Sequence, residues 1–268
     1  MGSAGVIISV SIPLTLYPQR LDYLKRVVDA LLPQLQAEDR LVFVDDGSCK
    51  EVRDYLTFLG ADQPGQIGTL FRNSGDSPEG LSEDGRPWRL ASSRNLGAEQ
   101  VGEHGFYAFL DADCVPVADW LDVYRATPAV PLGGISWLVF GQTRHQGLTR
   151  GEGTWDDPRL AGRSPGRSAR RLVALFERGG GGNMAISNFA WEQTGGFDED
   201  FDGGFGYEET ELACRLFERG GEVWYVPTAE VLHLYHNRSK PHFHNIERNR
   251  RLFMQKTGLS AFAKQERR

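Results

Sequence analysis

The first 113 residues alternate apolar, β-branched runs with helix-patterned stretches four times, and few architectures accept that rhythm. Residues 6–12 form an apolar run closed by Pro13. Residues 20–35 then carry Leu21, Leu24, Val27, Val28, Leu31 and Leu32 at helical spacing. A second strand is expected over 41–44, ending in Asp45-Asp46-Gly47-Ser48, and a second helix over 51–59. Residues 67–71 give a third strand, and the Gly, Ser, Asp and Pro of 73–87 a loop. A third helix over 90–101 leads to a fourth strand, 106–110, which ends in Asp111-Ala112-Asp113. The order predicts an α/β fold, a mostly parallel central sheet with helices on both faces. Ligands of such sheets bind beyond the carboxyl ends of the strands. Asp and Gly are also ordinary turn formers, but acidic residues ending two separate strands point to a site rather than to turns.

The second half is less regular. A strand is expected over 133–140, and the Gly, Arg, Asp, Thr and Pro of 142–171 read as one long loop. The run Gly179-Gly180-Gly181-Gly182 leads into Asn183. Helices are expected over 189–194 and 208–219, short strands over 222–226 and 229–234, and a basic helix over 242–256 with Ile246, Leu252 and Phe253 on one face. Residues 261–268 read as a tail. The whole chain is expected to form one domain, with a nucleotide-binding half to about residue 125 and an acceptor-binding half over about 126–257.

Composition removes several function classes. With 40% apolar and 25% charged residues, the chain is neither fibrous nor disordered in type. A net charge of −6 argues against nucleic acid as a partner of the whole surface. No run approaches the roughly 18–20 apolar residues of a membrane span. No integral membrane segment is therefore expected, while peripheral association stays open through Arg248, Arg250 and Arg251. The start lacks a basic segment before its apolar run, and Cys49, Cys114 and Cys214 are too scattered for a disulfide framework, so a cytoplasmic chain is expected. Arginine outnumbers lysine 25 to 5, which suggests a GC-rich genome.

Alternate residues of an extended chain point the same way, so Asp111 and Asp113 can face one site. Carboxylates suit hard cations such as Mg²⁺ or Mn²⁺, which also take phosphate oxygens. With this cluster at a strand end, the chain resembles the nucleotide-sugar glycosyltransferases of the GT-A fold, family 2 above all. The likeness is carried by residues 8–13, Val44-Asp45-Asp46-Gly47-Ser48, Ser93-Arg94-Asn95-Leu96-Gly97-Ala98, Phe109-Leu110-Asp111-Ala112-Asp113, Gly195-Gly196-Phe197-Asp198-Glu199, Tyr207-Glu208-Glu209-Thr210-Glu211-Leu212, and Val226-Pro227 leading to His233. Residues 181–184 and 204–209 also look like the carboxyl halves of β-1,4-galactosyltransferases and polypeptide N-acetylgalactosaminyltransferases.

The resemblance implies a single GT-A domain that transfers a hexose or N-acetylhexosamine from a UDP-sugar to a small-molecule, glycan or carrier-linked acceptor. It implies that Asp45 or Asp46 recognises the base, that the backbone at Pro13 flanks it, and that Arg94 faces the ribose-phosphate. Asp111 and Ala112 would lie near the ribose, and Asp113, with Asp111 and His233, would hold Mn²⁺ or Mg²⁺. His236, His242 and His244 are rivals of His233, and an ordinary helix–carboxylate pair is the rival role for Arg94. Gly180, Gly181, Gly182 and Asn183 would let the backbone approach the donor sugar. Glu209 would be the general base of an inverting reaction and Glu208 an acceptor-binding carboxylate, although acids also enrich first helical turns because they complement the helix dipole. Trp155 and Trp191 are read either as sugar-stacking or as core residues. The alternatives are a retaining transferase on the same fold, a nucleotidyltransferase and a non-catalytic sugar-nucleotide-binding module. The nucleotidyltransferase lacks support from residues 11–20, which hold no Gly and one basic residue.

Overall fold

A computed structural model describes residues 6–12, 20–72, 89–100, 105–127, 136–146, 154–156, 166–167, 180–234 and 242–259. The first half follows the sequence closely. Strand β1 (Val6–Ile12) precedes helix α1 (Arg20–Leu31). Where one long helix was expected to reach residue 35, α1 ends at Leu31, and Pro33 sits in a separate 3₁₀ turn, Leu32–Gln34. Strand β2 (Arg40–Asp45), helix α2 (Lys50–Asp62), strand β3 (Ile67–Phe71), helix α3 (Leu90–Glu99) and strand β4 (Phe106–Asp111) then follow in order. Strands β3, β2, β1 and β4 lie side by side and parallel.

Beyond β4 the structure adds elements that the pattern did not reveal. These are the short strand β5 (Cys114–Pro116) and helix α4 (Trp120–Ala126). Strand β6 runs Trp137–Gln146, past the expected end at 140 and into the stretch read as loop. Two short strands, β7 (Thr154–Asp156) and β8 (Gly166–Arg167), also interrupt that stretch. After the glycine run come β9 (Asn183–Ser187), α5 (Asn188–Thr194), α6 (Glu208–Glu218), β10 (Glu222–His233) and α7 (His242–Thr257). The two strands expected over 222–234 are one strand, bulged between Val226 and Glu230.

The sheet order is β3-β2-β1-β4-β9-β6-β10-β5, with β9 antiparallel to both neighbours. Period-two alternation distributes each strand between two cores. Phe106, Ala108 and Leu110 of β4 join α1, α2 and α4 on one face, while Tyr107 and Phe109 join α3, α5 and α6 on the other. A third cluster, of Phe201, Tyr207, Cys214 and Phe253, seats α7 against α6.

One topological fact places the site. β4 and β5 are four places apart in the sheet, a separation of about 19 Å in a flat sheet. Only Ala112 and Asp113 join them, and the step from Asp111 to Cys114 reaches about 10 Å at most. The far ends of β6 and β10 must therefore curl back over the carboxyl end of β4. The bulge in β10 lies where that bend is needed.

Candidate active site

The curl sets His233 directly opposite Cys114, next to Asp113. His233 Nε2 lies 3.7 Å from Asp113 Oδ1. The ligand atoms of Asp113, Cys114 and His233 all fall within 4.8 Å of one another. Burial and the Asp113 charge push the Cys114 thiol well above its ordinary pKa, so it stays protonated, and it points its S–H at Asp113 Oδ1. A soft thiol is a poor partner for a hard cation. The carboxylate and the borderline imidazole make an open donor set that fits Mn²⁺ or, with more oxygen ligands, Mg²⁺, and leaves coordination positions for phosphate oxygens. Among the described residues Asp111 is outside this group. Of the rival histidines, His236 and the side chains of His242 and His244 lie outside the described residues, as do Pro13 and the Trp155 side chain.

Beside the Asp113–His233 pair stands a charge cluster built on Arg94. This arginine is 2% exposed, and its guanidinium donates to Glu208 Oε1 at 2.8 Å and to Asp111 Oδ1 at 3.1 Å. Its other side packs on the Phe197 ring, 5.4 Å from the centroid. Burial opposes the charge, but Asp111, Glu208 and Glu209 outweigh it and raise the Arg94 pKa. Arg94 was expected to face a ribose-phosphate. It instead joins two carboxylates from different elements, the helix–carboxylate role that stood as its rival. Asp111 is likewise turned toward Arg94, and its pKa is raised by burial, with Arg94 opposing and Asp113 reinforcing.

Two glycines make this packing possible. A Cβ on Gly181 would collide with the Arg94 guanidinium, and one on Gly182 with the Asp111 carboxylate. The space a Cβ would take at each is filled, in this structure, by the protein's own ion pair. The Asn183 side chain is also engaged inside the fold. Its Oδ1 accepts from Trp120 Nε1 (2.9 Å) and Tyr124 Oη (2.8 Å), and its Nδ2 donates to the carbonyls of Gln142 and Ala229. A side-chain amide has two donors and two acceptor sites, so all four are used inside the fold and none is left for a donor sugar. Ala112 also points into the core beneath the sheet.

Glu208 and Glu209 open α6 behind an unusual backbone. Tyr207 holds φ +77°, a left-handed conformation that costs a non-glycine residue roughly 1–3 kcal/mol. It turns the chain so that Glu208 reaches Arg94 while Glu209 is left beside them. Glu209 Oε2 is buried with no hydrogen-bond partner. Burial first, and the neighbouring Glu208 charge second, push its pKa up to about 8, with Arg94 opposing. A carboxyl group tuned near neutrality, with one oxygen left without a hydrogen bond, is suited to accept a proton.

The acidic pair at the end of β2 separates in the structure. Asp46 is bound by Arg89, whose Nε donates to Oδ2 at 3.2 Å, and Arg72 lies 3.8 Å from its other oxygen. Asp45 Oδ1 accepts from the Ser48 amide at 2.9 Å, while its Oδ2 is buried without a hydrogen-bond partner. Asp46 Oδ1 is likewise buried without a hydrogen-bond partner, so each acid keeps one unused acceptor, and Arg53 lies 4.0 Å from that of Asp45. Trp191 takes the core alternative: it packs against Tyr107, Phe109 and Phe197 at centroid distances of 5.2, 5.4 and 5.7 Å. Sequence reasoning missed Asp202 and Asn249. Asn249 is fully buried and donates to the carbonyls of Phe201 and Gly206, both at 2.9 Å. Its signal was a polar residue on the apolar face of α7, one turn from Ile246 and Phe253. Asp202 carried no local signal.

A parallel Rossmann-like half, a return strand that brings a histidine to the acidic end of β4, and an acid-opened helix beside it define the GT-A type of nucleotide-sugar glycosyltransferase fold. Comparison with known proteins agrees. The family model described as the N-terminal domain of galactosyltransferase matches residues 176–237. The crystal structure of GalNAc-T7 with UDP, GalNAc and Mn²⁺ superposes with a TM-score of 0.62 at 18% identity, over 92% of this chain and 47% of that one. S. aureus TarS 1-349 superposes at 0.59 with 16% identity, over 93% of this chain and 64% of that one. A second TarS structure gives 0.60 and 14%, over 94% and 39%. The chain thus spans about half the length of the structures it matches. No curated protein matches it in sequence. Among the described residues, no helix is long and apolar enough to cross a membrane.

Proposed function

We propose that this chain is a divalent-cation-dependent glycosyltransferase that moves a hexose or N-acetylhexosamine from a UDP-sugar to an acceptor hydroxyl, thiol or amine, with inversion. The observation that carries the reading is the convergence, at one end of the sheet, of the Asp113–His233 pair and the Arg94-centred cluster with the unpartnered Glu209 oxygen. The GalNAc-T7 neighbour, solved with UDP, GalNAc and Mn²⁺, supports the same donor class.

The residues then divide the work. Asp45 Oδ2 accepts the imide N–H of uracil, a donor that cytosine lacks. Asp113 and His233 would hold the cation, which neutralises charge on the departing diphosphate. Arg94 holds Asp111 and Glu208 in place, so that Glu208 lines the acceptor side without moving. Glu209 takes the acceptor proton as the new glycosidic bond forms and the bond to the diphosphate breaks. In a single displacement the base and the leaving group stand on opposite faces of the sugar. The half beyond residue 126 would receive the acceptor.

Isothermal titration with UDP-, GDP- and dTDP-sugars, each with Mn²⁺ and with EDTA, tests the reading. Metal-dependent binding of a UDP-sugar that Asp113→Ala abolishes is expected. Binding of no sugar nucleotide under either condition would overturn it and bring the binding-module or nucleotidyltransferase alternatives forward. NMR of the product's anomeric proton decides inversion against retention.

A further inference from the structure

Helix α3 carries Arg94 but has no cap of its own. The N-cap residue, Arg89, makes no side-chain cap hydrogen bond. The missing acceptor comes from 111 residues further along the chain: Asp202 Oδ1 accepts from the Ala91 amide at 2.9 Å, and Oδ2 from the Ser92 amide at 3.2 Å. One turn on, Asn95 exchanges two hydrogen bonds with the backbone of Phe197, both at 2.9 Å. The segment 197–206 thus clasps α3 at two points that flank Arg94. The same segment runs directly into Glu208, and Asn249 of α7 holds it from the other side through the carbonyls of Phe201 and Gly206. A single loop therefore sets both partners of the Arg94–Glu208 ion pair.

We infer that Asp202 is a positioning residue: by capping α3 across the fold, it fixes where the Arg94 guanidinium stands between Asp111 and Glu208, and with it the spacing of the acids at the transfer site. Asp202 itself bonds the backbone of α3 and the Ser92 side chain, and its action on the transfer site runs through Arg94. The geometry of the inference is independent of the reaction, and its catalytic consequence rests on the transferase reading above. An uncapped helix end leaves amides unsatisfied and lets the first turn fray. Arg94 sits only a few residues beyond that turn, so fraying would loosen its two bonds.

The test uses the full chain with Asp202→Ala, Asp202→Asn and Asp202→Glu. In protein labelled with ¹⁵N-arginine, the paired Arg94 guanidinium should give slowly exchanging proton signals, assigned by their loss in Arg94→Lys. Asp202→Asn keeps an acceptor oxygen and should retain them, whereas Asp202→Ala should lose them. If the Ala variant does not fold, Asp202→Glu decides, because its extra methylene displaces the cap and should shift the Arg94 signals while Asn leaves them in place. With a UDP-sugar, Asp202→Ala should lower kcat tenfold or more, Asp202→Asn less than threefold, and the Ala effect should vanish in an Arg94→Lys background. Unchanged Arg94 signals in the Ala or Glu variant, or an equal loss of kcat with and without Arg94, would overturn the inference. A wild-type protein with no UDP-sugar activity would remove the functional reading instead, and the guanidinium signals would still decide the role of Asp202.

Discussion

Replacing Arg94 with Met tests whether the buried charge cluster is held by one residue. The Met side chain keeps similar length and can still pack on Phe197, so the chief loss is the charge and its two hydrogen bonds, to Glu208 and Asp111. Breaking one partner out of a buried ion pair costs about 3–5 kcal/mol, because the remaining charge stays desolvated and unpaired. For a chain of this size each kcal/mol moves Tm by about 2–4 °C, which gives a loss of roughly 6–20 °C. The loss must depend on pH. Asp111 and Glu209 already have raised pKa values, and Arg94 opposes the rise in both. Without Arg94 both rise further, so protonation relieves the unpaired charge as pH falls, and the penalty is smaller at pH 5 than at pH 8.5. Differential scanning calorimetry of the wild type and variant, metal-free, at pH 5 and pH 8.5 measures both values. A Tm loss below about 2 °C at pH 8.5, or an equal loss at both pH values, would refute the reasoning.

The base assignment predicts that Glu209→Gln lowers kcat about 10²–10⁴-fold while donor affinity stays within a few-fold, measured by turnover and titration together. Because Glu209 acts when deprotonated and its pKa is pushed up to about 8, kcat/KM should rise with pH through about 8, and the limb should disappear in the Gln variant. The same shift predicts the sign of its effect on stability: the native state holds the Glu209 proton more tightly than the unfolded chain. That contribution is fully present below about pH 4.5 and is lost as pH rises through about 8, a dependence that urea titrations of Glu209→Gln should lack. His233→Ala should weaken Mn²⁺-dependent donor binding at least tenfold with little change in metal-free Tm, as followed by calorimetry with and without EDTA. Asn249→Ala leaves two loop carbonyls without their donor and should cost about 2–4 kcal/mol in urea unfolding. A change below 1 kcal/mol would show that Asn249 does not hold the segment between Phe201 and Gly206.

Much of the first half was legible because its signals are local. A parallel strand buried on both faces reads as an apolar run, a covering helix as a 3.6-residue period, and the acids at the strand ends mark the ligand edge. Thus β1 to β4 and the placement of Asp45, Asp46, Asp111 and Asp113 could be read from residue order. The second half hid its strands for a physical reason. β6 continues through Gln142, Thr143 and Arg144, polar residues made extended by pairing with β10 rather than by their own propensity. β5 is three residues long, too short for any period to show.

The sequence by itself determined the fold class, the carboxylate edge of the sheet and the roster of acids, because hydrophobic periodicity and chain order dictate them. Only the tertiary structure decided what each polar residue does. Asn183 looks like a ligand contact in the sequence, but its side-chain amide spends its hydrogen-bonding capacity inside the fold. Arg94 becomes a link between β4 and α6 because residues 114 apart in sequence meet there. Asp113 and His233 meet because a strand three residues from β4 pairs on the far side of the sheet. Such partnerships depend on distances between segments remote in sequence, and no local pattern encodes them.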